Sequence, residues 1–252
     1  MPLPKIHSRT LFHFTNQGGL LGILHSNFRS TFSEERMIAD NGQVWDYWVP
    51  MVCFCDIPLH LIGNHINHYG RYGLGMSREW AIRSKLNPVF YYQSASLLFE
   101  QFASMMSLQH SDVSGLVQQN FLIESTRDIY FKSRYLLQYY KPWLGHDFKN
   151  NEDRLFYDER EWRYVPLSKG SYESIYTANP EFELRKEERF LKLESPYIIF
   201  EPKDINYIVL REETERYDIV QRIRGIKDKY SYRDVETLVS KIITVEQIEN
   251  DI

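Results

Sequence analysis

Residues 11–24 read LFHFTNQGGLLGIL and join an apolar strand pattern to the start of a helix. Leu11 to Thr15 has the apolar and aromatic content of a short strand, and the leucines and isoleucine of residues 20–24 form a helical stripe. Thr15 or Asn16 is the expected N-cap, because a short polar side chain accepts a hydrogen bond from the free N–H groups of a helix start. The stretch predicts a strand that leads directly into a helix.

Similar patterns predict alternating strands and helices along the rest of the chain. Strands are predicted at residues 51–57, 87–92, 161–165, 190–193, 197–200 and 207–210, and helices at 96–140 (two packed helices), 213–226 and 232–241. In the 213–226 helix, Tyr217, Val220 and Ile223 are expected to point inward. Residues 30–43 are polar and rich in turn formers, and residues 168–189 look like a polar surface insertion. Without repeats or low-complexity linkers, residues 1–252 predict a single α+β domain with an antiparallel or mixed sheet and packed helices.

Composition excludes several classes of function. The 252 residues carry a formal net charge of −4, so we expect no strong binding to duplex DNA. No segment approaches the roughly 18 apolar residues of a membrane span, and the N-terminus lacks a signal-peptide core. We therefore expect a cytoplasmic protein with no membrane partner.

The two cysteines, Cys53 and Cys55, lie near Asp56, His60, His65 and His68. Thiolate and imidazole are common zinc ligands, but the single residue between the cysteines does not fit the usual zinc spacings. Two cysteines that point to one face of a buried strand behave more often as small apolar side chains. The sequence therefore predicts no metal in this cluster.

Residues 158–166, DEREWRYVP, form a second strand pattern with charges. Strand alternation places Glu159, Glu161 and Arg163 on one face, and Arg160, Trp162 and Tyr164 on the other. One interpretation is a pair of carboxylates that hold a sugar hydroxyl and stabilise a cationic centre. The other is a surface ladder of ion pairs that contributes little energy.

Two further features are candidates for ligand binding. His13 lies in the first strand, where it can donate to a ribose hydroxyl or a phosphate beside a helix N-terminus, or can be satisfied locally. Residues 69–77, YGRYGLGMS, carry three glycines, but their spacing is not that of a dinucleotide-binding loop. A flexible strand or bulge is the alternative for this run.

Together these motifs resemble the AbiGi family of bacterial abortive-infection proteins. The resemblance rests on LFHFT (11–15), CFCDIPL (53–59), YGRYGLGMSREW (69–80), NPV (87–89) and REWRYVP (160–166), and it covers most of residues 10–210. It implies a phage-defence protein, and its members include antitoxin components of two-gene systems. A cognate toxin or a phage protein is then the expected partner.

A looser resemblance is to ADP-ribosyltransferases of toxin and phage-defence type. It implies NAD as the cofactor, with Glu161 and Glu159 as catalytic residues. NAD would then be bound by residues of the first strand and of the glycine-containing run, namely His13, Thr15, Tyr69, Tyr72 and Ser77. On this hypothesis Glu161 is the residue whose loss costs most function and least stability. The alternatives are a non-enzymatic antitoxin or sensor, and a metal-independent ribonuclease that uses His13 and Glu161.

Overall fold

The predicted first strand and helix are present as β1 (Thr10–Thr15) and α1 (Gln17–Ser26) in the computed structural model of the chain. Asn16 is the N-cap, and its side chain accepts a hydrogen bond from the Gly19 N–H at 2.8 Å. The structure describes residues 8–38, 42, 44–108, 124–147, 152–169, 176–177 and 180–251. No helix in this described part is long and apolar enough to cross a membrane.

The remaining elements alternate along the chain. The strands are β2 (Phe28–Arg29), β3 (Thr31–Ile38), β4 (Val44–Cys55), β5 (Tyr72–Ser77), β6 (Asn87–Pro88), β7 (Phe90–Tyr92), β8 (Tyr140–Pro142), β9 (Gly145–Asp147), β10 (Glu152–Arg154), β11 (Glu161–Tyr164), β12 (Tyr176–Thr177), β13 (Tyr197–Ile198), β14 (Ile205–Leu210) and β15 (Ile242–Thr244). The helices are α2 (Gly63–Tyr69), α3 (Arg78–Arg83), α4 (Leu97–Leu108), α5 (Glu124–Leu137), α6 (Pro180–Leu184), α7 (Lys186–Leu191), α8 (Arg216–Ile226), α9 (Tyr232–Val239) and α10 (Val245–Asp251).

One sheet of nine strands organises the fold. Its order is β15-β14-β5-β1-β4-β11-β6, and β3 and β12 also pair with β4. The pairings are antiparallel except for β14 with β15, which are parallel. The sheet is therefore mixed, and with its packed helices it confirms the predicted α+β class.

The glycine-containing run forms β5, a strand in the interior of the sheet, between β1 and β14. A Cβ atom at Gly73 would lie 2.7 Å from the backbone oxygen of His13, and one at Gly75 would lie 2.7 Å from Cγ2 of Thr10. Both positions thus need glycine because neighbouring strands approach too closely for a side chain. These glycines serve packing rather than a phosphate-binding loop.

Helices cover both faces of the sheet. On one face α1, α3, α8 and α9 bury Leu20, Trp80, Ile223 and Leu238. On the other face α2 and α10 pack around Phe12, Phe14, Cys55, Ile66 and Ile248. The two apolar layers fix the position of β1 and of the end of β4, where the candidate residues lie.

The long β3–β4 hairpin carries a second core. Its register runs from Thr31 opposite Met51 to Ile38 opposite Val44. Apolar side chains of β4 pack there against α4, α5 and β7, and the buried set is Met37, Tyr47, Val49, Met51, Tyr92, Phe99, Ala103, Leu137, Tyr139 and Val165. The prediction of a turn-rich segment at residues 30–43 was therefore wrong for Thr31–Ile38, which form a strand.

Three other predictions are corrected. Residues 190–193 were predicted as a strand, but Phe190 ends up buried on the short helix α7. The insertion at 168–189 is not wholly a surface excursion, because Phe182 of α6 is buried against Phe32 and Phe190; residues 170–175 and 178–179 lie outside the described residues. In α8 the inward residues include Ile219, whereas Tyr217 is 73% exposed.

Candidate functional site

The two glutamates of the charged strand come together through an unusual backbone turn. A 3-10 turn at Phe156–Glu159 ends at Arg160, whose φ of 46° and ψ of 50° are left-handed. β11 then begins at Glu161. A non-glycine residue in this conformation costs about 1–2 kcal/mol, and such strain is found preferentially at functional sites. The turn at Arg160 brings the carboxylates of Glu159 and Glu161 to the same lysine.

That lysine is Lys141 of β8. Its Nζ lies 2.5 Å from Oε2 of Glu159 and 2.6 Å from Oε2 of Glu161. All three side chains are nearly inaccessible to solvent. Burial by itself lowers the pKa of Lys141, but the carboxylates of Glu161 and Glu159 outweigh it and hold the pKa well above its usual value. Lys141 is therefore charged at neutral pH.

Arg163 binds the other side of Glu161. Its Nε lies 2.6 Å from Oε1 of Glu161, its Nη2 lies 3.1 Å from Oε1 of Glu35, and its Nη1 donates to the backbone oxygen of Gln138 at 2.7 Å. The Arg163 side chain is completely buried. Burial raises the pKa of Glu161, but Arg163 and Lys141 outweigh it and lower the pKa below its usual range. Glu161 is ionised and held by two cations.

Further contacts surround Glu159. Its Oε1 accepts a hydrogen bond from the Tyr69 hydroxyl at 2.7 Å and lies 3.1 Å from Nη2 of Arg154. The backbone N–H of Glu161 donates to the hydroxyl of Tyr91 at 2.8 Å. We call six of the connected charges the buried ion network, and its members are Glu35, Lys141, Arg154, Glu159, Glu161 and Arg163. Arg154 also pairs with Asp147 at 3.6 Å. Glu161 and Arg163 lie on one face of β11, as strand alternation predicts. Glu159 was predicted in the same strand, but it lies in the 3-10 turn and reaches the network through the turn at Arg160. The ion pairs are buried rather than on the surface.

A cavity of about 210 Å³, the inner cavity, borders this network. Its lining combines polar side chains with apolar ones. The polar set includes Glu35, Lys141, Glu159, Glu161, Tyr69 and His65, and the apolar set includes Phe12, Phe14, Met51, Cys53 and Cys55. Residues of both β1 and β4 line it, and these strands pair at Phe12 and Cys55. The sheet thus provides a small, partly apolar space beside the carboxylates of Glu159 and Glu161.

His13 also lines the inner cavity, so the structure brings it to the same space as Glu161. Its Nδ1 makes a hydrogen bond of 2.8 Å with the backbone oxygen of Cys53, and its ring packs against Phe28 and Phe54. Burial lowers the pKa of His13, although the Cys53 contact opposes this effect. A neutral His13 that is already bonded to the backbone is held in one orientation.

Three of the predicted NAD-binding residues lie elsewhere. The Tyr72 hydroxyl donates to Glu215 at 2.6 Å, and the Ser77 side chain caps α3 by accepting from the Trp80 N–H. Thr15 packs against the start of α1, where a Cβ atom at Gly19 would lie 2.2 Å from its Oγ1. Thr15, Tyr72 and Ser77 line neither the inner cavity nor its neighbour.

A second, larger cavity of about 540 Å³, the outer cavity, shares Glu35, Tyr69 and Lys141 with the inner one. His68 and Asp147 line it. Together with Glu152 they place potential ligand atoms within 4.8 Å of one another, the one group of three such residues in the described ranges. Imidazole and carboxylate can bind a divalent transition metal. All three side chains are at least partly exposed, however, and such groups are common on surfaces without a metal, so we expect no bound zinc here either.

The cysteines do not join that group. Cys53 contacts the sulfur of Met51 at 3.2 Å, and the Cys55 thiol donates to the backbone oxygen of Phe12 at 3.4 Å. Burial raises the pKa of both thiols. They pack as small apolar side chains, and the prediction that their cluster holds no metal remains to be tested by elemental analysis.

Sequence reasoning missed Lys141, Arg154, Glu35 and His65. Lys141 stands in an aromatic stretch, YYKPW, where a lone lysine in an otherwise apolar strand was the available signal. Glu35 lay in a segment predicted as turns. His65 was considered only as a zinc ligand. Each of these side chains reaches the site through pairing or packing of distant segments, which no local pattern specifies.

Comparison with known proteins places the chain in a family. A relative from Lactococcus lactis subsp. cremoris, named abortive phage resistance protein AbiGi, is 26% identical over 236 residues, which cover 84% of this chain and 92% of the relative. No solved structure matches. The profile of the family described as abortive phage resistance protein AbiGi, antitoxin, matches residues 25–211, including β3, β4, β5 and the charged strand β11. The chain therefore belongs to the AbiGi family of abortive phage resistance proteins.

Proposed function

We propose that this protein acts in phage defence as an antitoxin, a non-enzymatic module that binds a toxin. The observation that carries the proposal is the state of Glu161, whose two carboxylate oxygens are each bound by a buried cation. The description of the family as an antitoxin supports the same conclusion.

The ion pairs of Glu161 argue against a catalytic role. ADP-ribosyl transfer would require this carboxylate to accept a hydrogen bond from a ribose hydroxyl and to stabilise a cationic ribose. Here its charge is already compensated by Lys141 and Arg163. Breaking a buried pair costs about 3–5 kcal/mol. The buried ion network therefore fits a structural role for Glu161 better than a catalytic one.

An exposed apolar surface supports a binding role. The backbone N–H of Tyr157 donates to the backbone oxygen of Trp143, so the two aromatic residues are neighbours. Both are large and exposed, as are Leu144, which follows Trp143, and Leu155, two residues before Tyr157. We call these four residues the aromatic patch. Contiguous exposed apolar side chains mark protein-binding surfaces, and aromatic residues dominate the binding energy of interfaces.

Acidic side chains beside the aromatic patch narrow the choice of partner. Glu152 and Asp153 of β10 lie just before Leu155, and their side chains are 49% and 85% exposed. The whole chain carries a net charge of −4. A partner that presents apolar side chains flanked by lysine or arginine is complementary to this surface.

The test is phage protection in cells that express the chain together with its candidate toxin. Tyr157→Asp, which adds a charge to the aromatic patch, should abolish protection and reduce toxin binding at least tenfold. Tyr217→Asp is the matched control, because Tyr217 is a comparably exposed tyrosine on α8. If Tyr157→Asp binds the toxin as wild type does, the aromatic patch is not the binding surface. If the folded wild-type chain binds no toxin, the antitoxin proposal is wrong.

An NAD-dependent ADP-ribosyltransferase-like enzyme is the second candidate. The observation that favours it is that His13, Tyr69, Glu159 and Glu161 line the same inner cavity. Purified protein incubated with NAD and lysate should then release nicotinamide and label an acceptor. Glu161→Gln should lower the rate of nicotinamide release by about 10²–10³-fold. The antitoxin proposal instead expects no NAD-dependent release above the protein-free control.

A further inference from the structure

A nearly buried tyrosine on the wall of the outer cavity has an unpaired hydroxyl group. Tyr92 of β7 is 5% exposed and lines this cavity, and its ring stacks on Phe99 with the centroids 3.9 Å apart. Within the described ranges its hydroxyl makes no hydrogen bond, yet the oxygen keeps some accessible surface. A hydroxyl in this position indicates a ligand that supplies the missing hydrogen bond.

Glu35 supplies a second unpaired acceptor to the same space. Its Oε1 lies 3.1 Å from Nη2 of Arg163, whereas its Oε2 has no partner among the described residues. The Glu35 side chain is 17% exposed and lines both cavities. Burial and, to a smaller extent, the charge of Glu35 raise the pKa of Tyr92, so the hydroxyl stays neutral in the field of this carboxylate. A carboxylate only accepts hydrogen bonds, so the complementary ligand group is a donor.

The charges around the outer cavity favour a cation. In the part of the chain that the structure describes, six carboxylates and four lysine or arginine side chains line this cavity or pair with its lining, which leaves an excess of two negative charges. The carboxylates are Glu34, Glu35, Asp46, Asp147, Glu159 and Glu161, and the cations are Arg36, Lys141, Arg154 and Arg163. Glu34, which is exposed at the rim, forms no ion pair with any described residue.

Two histidines of the lining do not remove this excess. His68 lies 3.6 Å from Glu152, and His146 lies 3.1 Å from Asp153. These two carboxylates of β10 are not among the six above. Protonation of both histidines would therefore offset Glu152 and Asp153 at most. A ligand with one positive charge is thus electrostatically favoured, whereas an anion is repelled.

The outer cavity adjoins the aromatic patch. Leu144 belongs to both, and Phe156 of the lining stands between Leu155 and Tyr157 in sequence. The volume of about 540 Å³ lies within the range of roughly 300–1,000 Å³ that small-molecule sites occupy. An acidic cavity beside an exposed apolar surface is complementary to a cationic group that has apolar neighbours.

We propose that the outer cavity binds a monovalent organic cation, a guanidinium or primary ammonium group on an aliphatic chain, through Tyr92, Glu35 and Glu34. Such a group carries several N–H donors, enough for both the hydroxyl of Tyr92 and the free oxygen of Glu35. It belongs either to an arginine or lysine of a partner protein or to a free alkylamine. Only the first source rests on the proposed antitoxin function, and the cation site itself does not.

The experiment is a calorimetric titration of the full chain at pH 7 with N-acetyl-L-arginine amide. N-acetyl-L-citrulline amide is the matched probe, because a neutral urea group replaces the guanidinium in a side chain of the same shape. The arginine amide should bind, and the citrulline amide should bind at least tenfold more weakly, because it lacks the charge. Equal affinities, or no heat of binding by the arginine amide up to roughly 10 mM, would overturn the proposal.

Two pairs of variants locate the site. Tyr92→Phe removes only the hydroxyl and should weaken the arginine amide about threefold to tenfold; Tyr232→Phe is its control, because Tyr232 is 81% exposed on α9 and outside the cavity. Glu34→Gln removes the unpaired charge and should weaken binding about threefold. Its control is Glu79→Gln, at an exposed position of α3. Wild-type affinity in both Tyr92→Phe and Glu34→Gln would show that the probe binds elsewhere and would overturn the site.

Further probes identify the source of the cation. The acetylated and amidated tripeptide leucine-arginine-leucine adds apolar side chains that can reach the aromatic patch. Tighter binding of the tripeptide than of the arginine amide assigns the cation to a partner protein, and equal or weaker binding assigns it to a free alkylamine such as butylamine. Displacement of the arginine amide by Mg²⁺, but not by Na⁺ at the same ionic strength, would show a metal site and refute the proposal. A chain that binds the arginine amide but no toxin would refute the antitoxin function alone, and the opposite result would refute the cation site alone.

Discussion

Replacing Glu161 with glutamine removes one charge from the buried ion network while keeping the size of the side chain. Arg163 would lose its closest partner, at 2.6 Å, and Lys141 would lose one of two. Breaking a buried ion pair costs about 3–5 kcal/mol. Because Arg163 keeps Glu35 and Lys141 keeps Glu159, we expect the lower end, about 3 kcal/mol. The sequence-based hypothesis that Glu161 contributes least to stability is therefore revised.

The assay is thermal unfolding at pH 7. For a chain of this size each kcal/mol lowers the Tm by about 2–4 °C, so Glu161→Gln should unfold roughly 6–12 °C below wild type. Glu187→Gln is the matched control, because Glu187 pairs with Arg29 at 3.4 Å on the surface with its side chain 81% exposed. That variant should stay within about 0.5 kcal/mol of wild type.

Acid titration gives an independent check of the same reasoning. The pKa of Glu161 is lowered in the folded state, so its stabilisation is complete above the unfolded value of about 4.3 and is lost as the pH falls below it. The gap in stability between wild type and Glu161→Gln should thus shrink below about pH 4. A Glu161→Gln protein with the wild-type Tm at pH 7 would refute the argument and reopen the case for a free, catalytic carboxylate.

Four other results are expected. Burial lowers the pKa of His65 to about 4, so protonating this side chain in the folded state costs free energy. The free energy of unfolding should therefore be highest above about pH 6.5 and fall as the pH drops toward 4. His65→Phe should remove that dependence in urea titrations. Gly73→Ala should cost about 1–3 kcal/mol by urea unfolding, because its Cβ would meet His13 backbone oxygen at 2.7 Å; wild-type stability would contradict the packing described. Protein purified without added metal should contain no stoichiometric zinc, and elemental analysis near one zinc per chain would contradict this. Duplex DNA should bind more weakly than about micromolar in a gel shift at physiological salt.

Local sequence patterns were sufficient to predict the features that depend on only a few neighbouring residues. Asn16 caps α1 because the capping residue and the apolar stripe lie within a few positions. The alternation of side chains along a strand correctly placed Glu161 and Arg163 on one face of β11. These features depend on neighbours in the chain, so the sequence is informative about them.

Other features depend on distant segments. β4 extends back to Val44 because β3 pairs with it, and the polar residues of β3 hid that strand. The segment at 190–193 looked like a strand, yet Phe190 becomes buried through α7 against Phe182. Lys141 reaches Glu161 only after β8 and β11 are both in place. No local sequence pattern encodes contacts between distant segments, which is why Lys141 and Arg154 were not predicted as part of the site.

The position of β5 has a consequence for synthesis of the chain. This strand needs β1 on one side and β14 on the other, but β14 begins only at Ile205, long after Ser77 has left the ribosome. At ordinary translation rates that interval is on the order of ten seconds. Throughout it, a central strand with close-packed glycines has one open edge, which can pair with another nascent chain. A growing chain would therefore benefit from chaperone protection until β14 has been made.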